Sequence, residues 1–365
     1  MTATEETAVA APVRAGYLHG LDVLRVVASV SIAYHHLAAW IHGGRDNSFP
    51  FGDALNAATG TLHLRGELSF VGVAMMLLIS GLVVTRVAFR ERPVEFLTRR
   101  AVRVLPVMWV ALPISFAFVV AGLTPSMAPQ SAATVSNLLL DTWFGTYIVP
   151  GATSILPITW SLMVQLVFYA FTALMILPLR RWPWLPPAVA AAAISITMSL
   201  VPEAAAAPTR TIVAFLPIVF IGQIIALVRL GRVRLGVGLL LGAAHFLLFI
   251  RAELVAVSML SGDGYQNALL IDILVVILGM DASGRIARSR WIAVLAKRTY
   301  SVYLLHMPIM FGVLGWLKPL VGLPLAVLGA LLATALGVEL FHRYVEMPTT
   351  TTLRRLLDRE RHSTG

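Results

Sequence analysis

Ten apolar runs, separated by short polar or basic segments, make up most of the chain. A helix needs about 20 apolar residues to cross the hydrocarbon core of a bilayer, and most of the runs reach or approach that length. They cover residues 21–41, 68–89, 104–121, 158–178, 184–201, 211–229, 234–251, 265–280, 300–317 and 320–341. The pattern predicts an all-α, polytopic membrane protein with about ten transmembrane helices, of which the fifth and eighth have the least secure boundaries.

The basic residues lie between these runs, and their distribution predicts the orientation of the chain. If the N-terminus is cytoplasmic, few of the 28 Lys and Arg residues fall on the outer side: Arg45, Arg65, Arg210, Arg251 and Lys318. Basic loops are retained in the cytoplasm, so we expect a plasma-membrane protein with both termini cytoplasmic. The predicted organisation is an N-terminal tail at 1–19 without a signal-peptide pattern, a membrane-embedded domain at 20–344, and a basic C-terminal tail at 345–365.

Composition excludes several kinds of chemistry. With 58% hydrophobic residues and a mean hydropathy of +0.83, the chain is too apolar for a soluble globule. Membrane topology accounts for the net charge of +10, so nucleic acid is not an expected partner. The absence of cysteine excludes disulfides, thiol nucleophiles and cysteine metal sites. We expect no metal site, since no cluster of histidines or carboxylates has the spacing of metal ligands.

The first apolar run carries two ionisable residues on one predicted helical face. Arg25 and His36 are eleven positions apart, which in a helix places them about 20° apart around the axis and about 16 Å apart along it. Ionisable groups inside a bilayer are costly and therefore candidates for function. A structural interpretation stays open, in which Arg25 reaches the membrane boundary and His36 bonds a neighbouring helix.

Four segments resemble, in the right order, the motifs of acyltransferase family 3, the multi-helix membrane O-acyltransferases of bacteria. The first consists of residues 21–25 followed by His36. The others are residues 71–86, residues 96–106 with an Arg-x-x-Arg pair, and residues 300–309 with a Tyr-Ser-x-Tyr-Leu-x-His-x-Pro-Ile pattern. Each motif alone is modest, but four in register across the predicted domain are fairly specific.

The resemblance implies transfer of an acyl group, commonly acetyl, from acyl-CoA to a hydroxyl acceptor. Among the acceptors of the family we expect a cell-envelope glycolipid or polysaccharide. The resemblance also implies that Arg25, Arg100 and Arg103 bind acyl-CoA, because guanidinium groups suit its phosphates. His36 would act as the general base on the acceptor hydroxyl. Acyl-CoA is thus the expected co-substrate, with the lipid bilayer as surroundings.

A fifth segment, residues 159–169, resembles the family pattern except at Gln165, which stands where the family usually has glutamate. Glutamine keeps the shape and loses the charge, so it can form hydrogen bonds but cannot act as a base. We expect Gln165, Ser161 or Tyr169 to supply a donor to the oxyanion of the reaction. His306 is expected to have a structural or pocket-lining role.

Two other functions fit the same features. A transporter or lipid flippase without chemistry would also need many helices and buried polar groups, although the sequence has no internal repeat of the kind found in many transporters. Alternatively, Gln165 marks an inactive member of the family with a binding role. Turnover of acyl-CoA separates an enzyme from both.

Overall fold

The computed structural model describes residues 17–41, 57, 60–61, 63, 68–200, 207–255, 260 and 264–352. Regular structure throughout these residues is helical, which confirms the predicted all-α class. The helices are α1 (His19–Ile41), α2 (Leu68–Ala88), α3 (Pro93–Val120), α4 (Val135–Thr142), α5 (Thr159–Leu174), α6 (Ile176–Arg181), α7 (Leu185–Leu200), α8 (Ala207–Arg229), α9 (Leu235–Leu254), α10 (Tyr265–Gly279) and α11 (Arg290–Phe341). Most of the two predicted tails, at 1–16 and 353–365, lies outside the described residues.

Within the described ranges, six helices are long and apolar enough to cross a bilayer by themselves. They are His19–Ile41, Leu68–Ala88, Pro93–Val120, Thr209–Arg229, Leu235–Leu254 and Arg290–Thr352. Helices α5, α7 and α10 are equally apolar but have 16, 16 and 15 residues, fewer than the about 20 that a full crossing requires. A multi-pass membrane protein is therefore supported, while the total of ten spans stays a prediction.

Three boundaries differ from the predicted runs. α3 begins at Pro93, well before the run at 104–121, because a helix can continue into charged sequence beyond the apolar part. The run at 158–178 is divided at Met175 into α5 and α6. The last two runs form the single element α11, whose helical geometry is broken at Gly322 (φ 77°, ψ 170°). This positive φ suits glycine, and the prolines on either side of it remove backbone donors.

Helix α2 lies at the centre of the bundle, in contact with α1, α3, α5, α8 and α10. Its backbone approaches that of α8 very closely. A Cβ added to Gly222 would lie 2.1 Å from the carbonyl oxygen of Leu78, and one added to Gly81 would lie 2.0 Å from that of Val219. The two backbones touch because both positions lack a side chain, as in other small-residue contacts between membrane helices.

Two arginines, Arg180 and Arg229, form hydrogen bonds at one end of the bundle, which we call the basic end. Arg180 donates to a backbone carbonyl at the end of α2, and Arg229 at the end of α8 forms two hydrogen bonds of 2.6 Å with Asp281. At the opposite end, Lys318 of α11 lies over the Trp40 ring near the end of α1. Arg180 and Arg229 thus lie at one end and Lys318 at the other, while the orientation of the chain in the membrane stays a prediction.

We predict that Gly222→Ala lowers the free energy of unfolding by about 1–3 kcal/mol, because the new methyl group must push α2 away from α8. The midpoint of thermal denaturation in detergent measures the change. Gly242→Ala is the matched control, since a Cβ at that position of α9 meets nothing within 4 Å and alanine favours the helix by up to about 1 kcal/mol. Equal midpoints for the two variants would contradict the prediction.

Candidate active site

A cavity of about 180 Å³ lies among α1, α2, α3, α5 and α11 near the basic end. Six of the eight residues predicted for the site line this cavity: Arg25, Arg100, Arg103, Ser161, Gln165 and Tyr169. The other two, His36 and His306, do not line it. Most of the remaining lining is apolar, with further hydroxyl groups from α2 and α11. We call this space the basic cavity.

The three arginines of the basic cavity lie close to one another. Arg25 donates to Asp22 Oδ1 at 3.0 Å, and Arg100 donates to Glu91 Oε2 at 3.5 Å, so two acids reduce but do not remove the positive charge. Arg103 lines the same cavity as the other two arginines, so the three positive charges repel one another. An anion placed among them would lower this repulsion. The arrangement therefore favours a ligand with negative charge at the mouth of the cavity.

The side chain of Gln165 has a defined orientation on the cavity wall. Its oxygen accepts hydrogen bonds from the hydroxyl of Tyr169 at 3.0 Å and from that of Ser80 at 3.3 Å. Because two hydroxyls engage the oxygen, the NH₂ group is the part of the amide that points away from them and can donate. Ser161 belongs to a different pair, 3.0 Å from the hydroxyl of Tyr303.

A second cavity, of about 550 Å³, adjoins the basic cavity and contains His36. Two apolar and two hydroxyl-bearing residues line both cavities, and we call this boundary between them the constriction: Ile32, Val73, Ser161 and Tyr303. Helix α1 thus presents Arg25 to the basic cavity, Ile32 to both cavities and His36 to the second one. The three residues are seven and four positions apart, so they lie on one face of the helix. We call the second space the distal cavity.

Aromatic and hydroxyl-bearing side chains form much of the wall of the distal cavity. Its aromatic lining is Phe70, Tyr147, Trp160, Phe215, Tyr265 and Tyr303, and the hydroxyl groups of Ser69, Thr146, Thr153, Ser154, Ser161 and Thr211 lie among them. The volume falls in the range of about 300–1,000 Å³ that is usual for small-ligand pockets. Such a wall offers flat apolar faces together with groups that both donate and accept hydrogen bonds.

The segment between α3 and α5 folds against the distal cavity around a buried carboxylate. Asp141 accepts hydrogen bonds from the hydroxyl of Thr146 at 2.6 Å, the hydroxyl of Ser154 at 3.2 Å and the backbone N–H of Ile155 at 2.6 Å. Burial raises the pKa of Asp141, and these hydrogen bonds act against the rise. Thr146 and Ser154 both line the distal cavity, so Asp141 holds part of its wall in place.

His306 lines neither cavity. Its ring centroid is 5.3 Å from that of His36, and it borders an apolar groove of about 820 Å³ between α1 and the two halves of α11. Val30 and Leu37 on α1 and Val338 on α11 are typical of the lining. We call this the lateral groove. The pocket-lining role suggested for His306 from the sequence therefore applies to this groove and to the surroundings of His36.

Several lining residues were missed from the sequence. Ser80, Tyr300 and Tyr303 line the basic cavity, and each lies inside a segment that resembles a family motif, so the motifs carried a signal for them. Of the aromatic residues of the distal cavity, Trp160 and Tyr303 lie in such segments, whereas the other four do not: Phe70, Tyr147, Phe215 and Tyr265. Among the residues that the structure describes, no group of three or more His, Asp or Glu side chains is placed to hold a metal ion.

The sequence that forms the helical bundle and both cavities matches a known protein family. The family described as "Acyltransferase domain" matches residues 18–342. The chain belongs to acyltransferase family 3. This confirms the family and the acyltransferase class that the motifs predicted, and the matched range includes all eight residues proposed for the site.

Two curated proteins are similar to parts of this family member. "Exopolysaccharide production protein ExoZ" of Rhizobium meliloti (strain 1021) is 30% identical over 132 residues, which cover 35% of this chain and 40% of that protein. "Nodulation protein 10" of Rhizobium leguminosarum bv. viciae is 27% identical over 181 residues, 46% of each chain. The similarity thus spans less than half the length of either relative. No solved structure matches the chain.

We predict that Asp141→Asn loosens the wall of the distal cavity. In the native protein both carboxylate oxygens accept hydrogen bonds. Asparagine has one oxygen, so its NH₂ group must face one of these donors, and the lost hydrogen bond lowers the free energy of unfolding by about 1–3 kcal/mol. Faster cleavage by limited proteolysis at residues 148–153 and a lower thermal midpoint are the expected results. Asp281→Asn removes only an exposed ion pair, worth about 0–1 kcal/mol. Equal cleavage rates for the two variants would refute the structural role of Asp141.

Proposed function

We propose that this family member is an O-acyltransferase of the plasma membrane that moves an acyl group, acetyl in the simplest case, from acyl-CoA to a hydroxyl of a cell-envelope glycolipid or polysaccharide. The observation that carries the proposal is the pair of cavities that meet at one constriction, one lined by arginines and the other by His36. Both termini are cytoplasmic in this proposal, as the positive-inside rule predicts. The basic cavity then opens toward the cytoplasm and the distal cavity toward the outer face.

On the donor side, the size and charge of the basic cavity fit the two parts of acyl-CoA. A volume of about 180 Å³ suits the slender pantetheine arm, so the nucleotide and its phosphates remain at the mouth. Arg25, Arg100 and Arg103 can bind these phosphates there through charge-assisted hydrogen bonds. The amide NH₂ of Gln165 can donate to a carbonyl oxygen of the arm, a role that needs no carboxylate.

On the acceptor side, the distal cavity has the lining expected for a sugar. Aromatic faces can pack against the C–H face of a sugar ring, while Ser and Thr hydroxyls can pair with its hydroxyl groups. The similarity to a protein named for exopolysaccharide production supports a carbohydrate acceptor. An acceptor in this cavity would place a hydroxyl beside His36 and opposite the thioester at the constriction.

The chemistry follows from this arrangement. Neutral His36 takes the proton of the acceptor hydroxyl while its oxygen forms a bond to the thioester carbonyl carbon. The carbonyl becomes an oxyanion, to which Ser161 at the constriction can donate, with Tyr169 and Gln165 lining the basic cavity alone. When the carbonyl re-forms, the carbon–sulfur bond breaks and the thiolate of coenzyme A leaves. The proton held by His36 passes to that sulfur, which returns the imidazole to its neutral form.

Replacement of His36 tests the proposal. Purified native protein in nanodiscs, supplied with labelled acetyl-CoA and envelope glycan or lipid fractions, should transfer label to an acceptor and release coenzyme A. The chain has no cysteine, so a thiol reagent detects only the released coenzyme A. His36→Ala should lower the rate by about 10²–10⁴-fold, the usual contribution of a general base, with unchanged binding of coenzyme A.

Two outcomes would reject the mechanism. Transfer by His36→Ala at the native rate would exclude the general-base role. Native protein that binds coenzyme A without turnover in any acceptor fraction would favour an inactive, binding member of the family. Flux of a lipid or glycan into liposomes without acyl-CoA turnover would favour a transporter. Turnover by the native chain, in contrast, would show that Gln165 is compatible with activity.

We predict that Arg103→Gln raises KM for acetyl-CoA about tenfold to a hundredfold and changes kcat less, because a hydrogen bond to a charged group contributes about 1.5–3 kcal/mol. The control is Arg181→Gln at the same end of the bundle, where the guanidinium lies over the Trp182 ring, 4.9 Å from its centroid. Steady-state kinetics at several salt concentrations measure both variants. An equal rise of KM in both would indicate a general positive field and no specific phosphate site at Arg103.

A further inference from the structure

One nitrogen of the His306 ring is held by the backbone of α11. Nδ1 lies 2.8 Å from the carbonyl oxygen of Val302 and 3.0 Å from that of Tyr303, about one turn earlier in the helix. Carbonyl oxygens only accept hydrogen bonds, so Nδ1 carries a proton and donates it. In the neutral ring, the other nitrogen, Nε2, then has a free lone pair and is an acceptor.

This second nitrogen is buried without a hydrogen bond. His306 is 1% exposed, and Nε2 has no partner among the described residues. A buried acceptor left unpaired costs about 1–3 kcal/mol. The ring borders the lateral groove, whose lining is mostly apolar. The aromatic ring in contact with His306 is that of His36, at 5.3 Å between centroids and with 38° between the planes.

We propose that His306 is a positioning residue whose Nε2 accepts a hydrogen bond from the imidazole of His36. The inference rests on the general-base role proposed above for His36. At the observed separation, a turn of the His36 ring about its side-chain bonds brings facing nitrogens to about 3 Å, the length of a hydrogen bond. The side chain that holds the base in place therefore comes from α11 and borders the lateral groove.

The hydrogen bond would decide which nitrogen of His36 can take a proton. A histidine that donates from one ring nitrogen keeps its lone pair on the other. With His306 as the acceptor, the lone pair of His36 is directed away from the lateral groove and toward the distal cavity. When His36 takes the proton of the acceptor hydroxyl, the same hydrogen bond becomes charge-assisted and stabilises the imidazolium.

Four hydroxyl-bearing residues line the lateral groove, Ser29, Tyr34, Thr299 and Thr334, and of these we take Thr334 as the alternative donor to Nε2. Thr334, in the second half of α11, lines the groove with His306, and its hydroxyl is also buried without a partner among the described residues. If Thr334 were the donor, His306 would only join the two halves of α11. Thr334→Val removes that hydroxyl and keeps the shape of the side chain, so it separates the two roles.

Two substitutions of His306 test the proposal, because each keeps one of its two polar positions. His306→Gln retains an acceptor near the position of Nε2, whereas His306→Asn retains a donor near Nδ1 and has nothing at Nε2. We expect His306→Asn to lower kcat for acetyl transfer by about tenfold to a hundredfold, the effect of about 1.4–2.7 kcal/mol, with KM for acetyl-CoA within twofold. His306→Gln should retain at least a third of the native kcat, and Thr334→Val should match the native protein.

A second measurement does not depend on turnover. Nitrogen-15 NMR of histidine-labelled protein in nanodiscs, with the His36 signals assigned through His36→Gln, reports which ring nitrogen carries the proton. His36 should occupy one tautomer in the native protein and in His306→Gln, and a mixture in His306→Asn. If native protein shows no turnover, the function proposed above fails while the tautomer result still stands on its own.

Three results would overturn the inference. His36 could show the same tautomer populations in native protein, His306→Gln and His306→Asn. His306→Gln could lose as much activity as His306→Asn, which would mean that the ring acts through more than an accepted hydrogen bond. Thr334→Val could reproduce the effects of His306→Asn, which would assign the hydrogen bond to Thr334.

Discussion

The close contact between the backbones of α2 and α8 is the constraint on which the arrangement of the site depends. Gly81 and Gly222 allow α2 to lie against α8 without side chains between them, and this places α2 in the middle of the bundle. Ser80 precedes Gly81, about 100° away around the helix, and lines the basic cavity. The same turn of α2 therefore packs on one side and lines the candidate site on the other, so a shift of α2 would move Ser80 and the amide of Gln165 that it contacts.

The sequence predicted positions along a helix better than contacts between helices. Helical spacing placed Arg25 and His36 on one face of the first helix, and both lie within α1, each five or six residues from one of its ends. Which helices meet is a different question, because lipid tails are as apolar as leucine and hydrophobic patterning does not distinguish a lipid-facing side from a helix-facing side. His306 illustrates this. The apolar run around it predicted its place in a helix, but its place beside the His36 ring depends on how α11 packs against α1.

The glutamine at position 165 fits its surroundings without the charge that the family usually has there. Two hydroxyls, from Ser80 and Tyr169, donate to its oxygen. A carboxylate oxygen would accept the same two bonds, so this part of the wall suits either residue. The difference lies in the other half of the group, where glutamine presents an NH₂ donor and glutamate a second acceptor. The proposed mechanism uses only the donor, and it assigns the proton to His36.

The constriction between the cavities bears on the kind of acyl group that the protein can handle. In the proposed mechanism, donor and acceptor would meet at the four residues that line both cavities, two of which, Ser161 and Tyr303, have their hydroxyls bonded to each other. A thioester reaching His36 from the basic cavity would then have to bring its acyl group past these side chains. A two-carbon acetyl group would displace little there, whereas a long chain would have to push apart the helices that carry them and disturb the contact between the rings of His36 and His306. The contact that we propose to orient the base would therefore also disfavour long acyl chains, because an opening wide enough for them disrupts the geometry of the base.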